Sequence, residues 1–214
     1  MAKLIKPIRA CRNQNTKVLG HPMDSNAVEA WGFFQAWLRN PLRIAAIAPS
    51  GAALARLITS EISADTGPVI ELGPGTGAFT RAIIGRGVPQ SELALIEFEP
   101  KFAVALRTRY PQATIFRMDA ARLSSVELFD RRLAGAIVSG LPLLSMSPLQ
   151  VTRILAAAFQ KMSPGSGFYQ FTYGLRCPVP AKVLSRLGLK AVRTGGTLAN
   201  IPPAAVYRIH KIEQ

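Results

Sequence analysis

Residues 69 to 80 read VIELGPGTGAFT. A short apolar run carrying Glu71 meets three glycines at alternate positions, Gly73, Gly75 and Gly77, and helical rhythm follows. A strand, a tight glycine turn and a helix in that order form the opening unit of an open α/β sheet. Glycine tolerates positive φ and has no Cβ, so a ligand can approach the main chain there. In such sheets ligands sit beyond the C-terminal ends of the strands, and the turn after the first strand is the usual place.

The same rhythm continues downstream. ELALIEF reads as a second strand and PKFAVALRTRY as a helix with Pro100 in its first turn. ATIFRM and LAGAIVSG read as strands three and four. SPLQVTRILAAAFQKM reads as a helix capped by Ser147 with Pro148 at its first position, and GFYQFTYG as a fifth strand. Two further strands are expected around Leu189–Leu198 and Ala204–Lys211, as an antiparallel addition at one edge. The fold class expected is therefore α/β, a Rossmann-like, seven-stranded, mostly parallel sheet with helices on both faces.

Ahead of the sheet, Ala27 to Arg39 places apolar residues at helical spacing, with Ser25 or Asn26 as cap and Pro41 as stop. APSGAALARLITSEI begins a second helix, with Ser50 as its expected N-cap. The chain divides into a basic tail (1–24), amphipathic helices (25–66) and a ligand-binding domain (67–214). Its 214 residues suffice for one α/β domain.

Charge narrows the partners. Lys and Arg number 26 against 12 acidic residues, a net of +14, which favours polyanions such as nucleic acid or an anionic membrane. Cys11 and Cys177 lie far apart, and His21 and His210 are isolated, so neither a disulfide framework nor a metal site is expected, and a reducing compartment fits. The basic start is not followed by a compact apolar core, so no secretory signal is expected. Residues 133–152 lack charge but contain Pro142 and Pro148, which suits a strand, a loop and a helix start better than a membrane span.

The ligand follows from three strand tips. A dinucleotide turn has the spacing G-x-G-x-x-G, and here the third glycine comes one residue early. Glu71 would also repel a diphosphate and suits a cation. Glu97, twenty residues past Gly77, stands where a carboxylate accepts from both ribose hydroxyls, and Phe98 beside it can pack on adenine. Asp119 can accept from an exocyclic adenine amine, and Ala120 offers its N–H to the ring. An adenosine with a cationic amino-acid tail, S-adenosylmethionine, satisfies all three tips. The expected donor set is Glu71, Gly73, Gly75, Thr76, Gly77, Glu97, Phe98, Asp119, Ala120 and Ser139.

The segments FFQAWLRNPLRIAAIAPSG, VIELGPGTGAFTRAIIGRGV, ALIEFEPKFA, IVSGLPLLSM, YQFTYG and NIPPAAVYRI cover most of residues 30 to 210. In them the chain resembles class I methyltransferases, and among these the bacterial phospholipid N-methyltransferases that associate with membranes. The resemblance implies methylation of phosphatidylethanolamine towards phosphatidylcholine, with a phospholipid substrate and an anionic membrane surface as partners. It also implies a cytoplasmic protein held peripherally at the inner face of the cytoplasmic membrane. It places Tyr173 on the headgroup side and makes the N-terminal amphipathic helix a membrane anchor. Trp31, Phe33, Phe34 and Trp37 suit an interfacial helix, with Arg39 and Arg43 as lipid contacts. The segment RCPVPAKVLSRLGLK departs from the resemblance, so the acceptor end is less defined.

Methyl transfer to an amine is an in-line displacement that needs alignment, a dry site and a neutral nitrogen. Backbone carbonyls at Ser139, Gly140 and Leu141 are expected to orient the amine. No histidine lies near the motifs, so water and hydroxyls such as Tyr173 are expected to carry the proton outward. The rivals are an rRNA adenine dimethyltransferase, an enzyme acting on ornithine lipid, and a non-catalytic lipid-binding or donor-sensing protein. Nucleic acid is not the expected partner, because SGLPL lacks the polar amide and aromatic that grip a flipped base.

Overall fold

A computed structural model describes residues 48–173, 176–198 and 203–212. The expected N-terminal helix, with Trp31, Phe33, Phe34, Trp37, Arg39 and Arg43, lies outside the described residues. In chain order the elements are α1 (Ala48–Ile58), β1 (Val69–Leu72), α2 (Ala78–Gly85), β2 (Leu93–Glu97), α3 (Pro100–Arg109), β3 (Thr114–Arg117) and β4 (Ala134–Ser139). They continue with α4 (Pro148–Phe159), β5 (Met162–Tyr173), α5 (Ala181–Arg186), β6 (Leu189–Thr197) and β7 (Ala204–Lys211).

The strands form one seven-stranded sheet in the order β3-β2-β1-β4-β5-β7-β6. Strands β1 to β5 pair in parallel, and β7 runs antiparallel between β5 and β6. Strand order reverses at β1, which pairs β2 on one side (Leu72 with Ile96) and β4 on the other (Leu72 with Ser139). The connections leaving β1 and β4 therefore turn to opposite faces and open a crevice at their C-terminal ends.

Helices cover both faces, so the central strands are buried without alternation: every residue of β1 and β2 is buried, and all but Glu71 and Glu97 are apolar. Successive side chains still point to opposite faces. Ile70, Leu72, Ile96, Ile137 and Phe168 pack with Leu123, Leu143, Val151, Leu155 and Val183. Val69, Leu93, Leu95, Val138 and Phe171 pack with Leu54, Ile58, Ile83 and Leu106 on the other face. Leu54 and Ile58 of α1 are thus part of the sheet's own core.

Helix ends follow local chemistry. Ser147 caps α4 in a reciprocal capping box with Gln150, and Pro148 takes a first-turn position. The expected cap at Ser50 is corrected: α1 starts at Ala48, which puts Ser50 inside the first turn. Pro49 fits that turn because its missing N–H has no helical partner there. Helix α5 lies in the RCPVPAKVLSRLGLK segment, where the sequence suggested no element.

Candidate active site

The glycine turn leaves β1 with positive φ at Gly73 (67°), Gly75 (54°) and Gly77 (79°). Its backbone is held from several sides. Gly73 N–H donates to the Ile96 carbonyl at 2.9 Å, and Gly75 N–H donates to Glu97 Oε2 at 2.9 Å. The Tyr110 hydroxyl reaches the Gly77 carbonyl at 3.2 Å, and Arg109 Nη1 reaches the Thr76 carbonyl at 3.0 Å. The other Glu97 oxygen accepts from Glu99 N–H at 2.8 Å. Glu97 therefore ties the β2 tip to the β1 turn while each carboxylate oxygen keeps a lone pair for a further donor.

Glu71 is fully buried on β1. Its Oε2 accepts from the Thr80 hydroxyl at 2.6 Å, across the start of α2. Its Oε1 is buried with no donor. Burial pushes this carboxyl up to about 8, against the lowering effect of the Thr80 hydrogen bonds and with a smaller contribution from the Glu97 charge. An unpaired buried carboxyl of this kind meets the chemistry of a cationic amino group. On β3's exit, Asp119 Oδ1 accepts from Ala121 N–H at 2.9 Å and caps a short turn of helix, with Ala120 buried beneath. Phe98 is 73% exposed at the β2 tip, a large apolar face open to a flat ring. The donor set expected from the sequence thus falls along one edge of the sheet, and its donors, acceptors and glycine cradle fit S-adenosylmethionine.

The side expected to take the acceptor is built from the exits of β4 and β5. Gly140 N–H donates to the Leu72 carbonyl at 2.8 Å, which seats the β4 loop against the β1 turn. A Cβ on Gly140 would stand 2.6 Å from the Gly73 carbonyl oxygen, and one on Gly73 would stand 2.8 Å from Leu141 Cδ2. Only glycines allow the two loops to touch here. Ser139 Oγ accepts from Leu141 N–H at 3.3 Å. The Leu141 carbonyl accepts from Leu143 N–H and from Gln170 Nε2, each at 2.9 Å.

Tyr173 ends β5. Its ring packs edge-on against Phe171 at 5.4 Å, and Phe171 packs edge-on against Phe79 of α2 at 5.8 Å. Burial pushes the Tyr173 phenol up to about 12, so it stays neutral near physiological pH. His210 pairs with Lys190 towards the opposite end of the sheet, far from this edge. Among the described residues no group of His, Cys, Asp and Glu is placed to hold a metal.

Thr80, Tyr110, Arg109 and Gln170 were not singled out from the sequence. Thr80 had a faint signal, a hydroxyl one helical turn after the last glycine. Tyr110 and Arg109 had none, because their contacts to the turn span 33 residues. Gln170 sits in YQFTYG, a polar amide inside an otherwise apolar and aromatic strand.

Sheet order, the antiparallel seventh strand and the glycine turn with its two carboxylates define a class I S-adenosylmethionine-dependent methyltransferase. The fold matches the glycopeptide N-methyltransferase MtfA, solved with S-adenosylmethionine, at a TM-score of 0.55 and 15% identity, covering 76% of this chain and 95% of that one. It also matches a TehB-like S-adenosylmethionine-dependent methyltransferase from Corynebacterium glutamicum at a TM-score of 0.58 and 15% identity, covering 86% and 99%. Over 182 residues the chain is 30% identical to an ornithine lipid N-methyltransferase from Singulisphaera acidiphila, covering 82% of this chain and 92% of that protein. The chain belongs to that enzyme's family of S-adenosylmethionine-dependent N-methyltransferases. No family model matches it.

Proposed function

We propose that the chain methylates the headgroup amine of an aminolipid, with the primary amine of ornithine lipid as the first candidate and phosphatidylethanolamine as the second. The observation that supports this order is the 30% identity to an ornithine lipid N-methyltransferase over most of both chains. It favours the ornithine headgroup over the phosphatidylethanolamine that the sequence resemblance implied.

S-adenosylmethionine, when bound, supplies a methyl group already activated on a positive sulfur. The chain's own residues do the rest. Glu71 Oε1 and the glycine turn receive a cationic amino-acid tail, Glu97 receives ribose hydroxyls, and Asp119, Ala120 and Phe98 receive the base. Gly73 and Gly140 bring the donor and acceptor loops into contact, so little room is left for bulk water between them. That placement supplies the proximity term, worth up to ~7–11 kcal/mol in ideal cases. The amine must lose a proton before it attacks. Tyr173 has too high a pKa to act as a phenolate base, and its hydroxyl serves as a relay to water.

Membrane access falls to the N-terminal segment and the positive net charge. Among the described residues no helix is long and apolar enough to cross a membrane. Deletion of residues 1–40 is expected to abolish sedimentation with anionic vesicles and leave donor binding intact.

The deciding experiment offers radiolabelled donor with vesicles containing ornithine lipid, vesicles containing phosphatidylethanolamine, and structured RNA. Label in a methylated ornithine lipid is the expected result. Label in phosphatidylethanolamine alone would restore the resemblance-based substrate, and label in RNA alone would refute aminolipid methylation.

A further inference from the structure

We propose that Gln170 recognises the acceptor amine, with its side-chain oxygen accepting an N–H of the nitrogen to be methylated. The inference rests on the aminolipid reading above and names the residue that selects for an amine.

Gln170 is 1% exposed and lies opposite Ser139 in the β4–β5 register, at the exit of the acceptor loop. Both of its N–H bonds are committed. Nε2 donates to the Leu141 carbonyl at 2.9 Å and to the Phe171 carbonyl at 2.9 Å. Two carbonyl oxygens on that side fix the amide's orientation, since the flipped form would set oxygen against oxygen. Oε1 is left buried with no donor. A buried amide oxygen without a donor costs about 1–3 kcal/mol, which a ligand N–H at this point would recover.

The neighbouring acceptor is already saturated. The Leu141 carbonyl takes two hydrogen bonds, from Leu143 N–H and Gln170 Nε2, which fill its two lone pairs. Of these two oxygens at the loop corner, the one still owed a donor is Gln170 Oε1. The choice of amide over carboxylate suits the chemistry. A carboxylate beside the nitrogen would hold it as an ammonium, whereas a neutral oxygen orients an N–H and leaves the nitrogen free to give up its proton.

The number of N–H bonds on the ligand provides the test. A primary amine can donate to Gln170, and a fully methylated nitrogen cannot. Affinities are measured for ornithine lipid in vesicles and for its trimethylated counterpart, in the presence of S-adenosylhomocysteine, on wild type, Gln170→Met and Gln170→Glu. Thermal unfolding checks each variant. Gln170→Met should weaken binding of the primary amine roughly tenfold and leave the trimethylated lipid and S-adenosylhomocysteine unchanged. Gln170→Glu should recover most of the loss, because a carboxyl facing two carbonyls stays protonated, donates to one of them and keeps an acceptor oxygen.

Equal weakening for both lipids would reduce Gln170 to a brace for the loop and overturn the inference, as would no change for either. If Gln170→Met does not fold, wild type decides: equal affinity for the primary and trimethylated lipids overturns the inference, and a several-fold preference for the primary amine supports it. A wild-type enzyme that methylates no aminolipid sinks the functional reading itself. A wild type that methylates ornithine lipid while the two lipids lose affinity together sinks only the role of Gln170.

Discussion

The two halves of the site are built by different means. The donor half, at the tips of β1, β2 and β3, presents its ligand-facing groups from short motifs at strand ends, although contacts spanning 22 to 33 residues brace its turn. Three glycines set the turn, and the Glu97 carboxylate at the β2 tip accepts from it. The acceptor half, at the exits of β4 and β5, is made of long-range contacts: Gly140 against the Gly73 carbonyl, Gln170 against the Leu141 loop, and the Phe79–Phe171–Tyr173 ring contacts. A device that recognises an invariant cofactor can be local. One that must suit a particular acceptor is assembled from parts far apart in sequence, where each part can vary by itself.

The most severe test of this division falls where the halves meet. Gly140→Val puts a side chain within 2.6 Å of the Gly73 carbonyl oxygen. Backbone must shift, at a cost of about 1–3 kcal/mol in stability. Methyl transfer should fall at least a hundredfold, because loops displaced by even 1 Å lose alignment. Activity within tenfold of wild type would show that the two halves are not coupled there.

Within the donor half, Glu97→Ala removes two hydrogen bonds from backbone N–H groups as well as the proposed ribose acceptor. Donor affinity should drop roughly fiftyfold by calorimetry, with hydrogen bonds to a charged group contributing about 1.5–3 kcal/mol each. Unchanged affinity would remove Glu97 from the donor site.

Glu71 provides a pH test of the same half. Its folded value of about 8 lies above the ordinary 4.5, so between those limits the folded chain holds a proton that the unfolded chain has released. The stability of the donor-free protein should therefore fall as pH rises through that window and level off above about 8. A cationic ligand favours the carboxylate, so donor affinity should move the other way, strengthening by up to about tenfold per pH unit below 8. Calorimetry in buffers of different ionisation enthalpy should detect proton release. Glu71→Gln should flatten both profiles, and a wild-type affinity that ignores pH from 6 to 8 would contradict the assignment.

The smallest effect is expected at Phe98. With its ring 73% exposed, Phe98→Ala should leave the melting temperature nearly unchanged and weaken donor binding about fivefold through lost contact with the base. A drop in melting temperature without loss of donor affinity would make the ring a structural element.

This contrast also explains what was legible in the sequence. Strand and helix order was readable because Val69–Leu72 and Leu93–Glu97 are mainly apolar runs, each carrying a single glutamate, and because Pro100, Ser147 and Pro148 mark helix starts. Glu71 and Glu97 were expected at the donor site from their distance to the glycines, and Asp119 from its place just after the third strand. The start of α1 was misplaced because Ser50 is a good cap in isolation, while Pro49 is accepted one residue earlier in a first turn. Helix α5 was missed because Pro178 and Pro180 mask a six-residue element whose buried Val183 joins a core fixed only in three dimensions. Gln170 looked like one polar residue in a strand. Its role depends on a loop 29 residues earlier in the chain, and spacing within the strand carries no trace of it.

The antiparallel β7 has a consequence for how the chain reaches this state. It lies between β5 and β6, joined to the first through six residue pairs and to the second through eight. During synthesis β6 emerges before the strand that must separate it from the rest of the sheet. It therefore waits undocked, an open ladder exposed to unwanted pairing, until residues 204–211 arrive and slot in. The β7–β6 edge of the sheet is therefore expected to close last, and a chain cut short before Ala204 would be expected to aggregate through β6 even with its nucleoside pocket already formed.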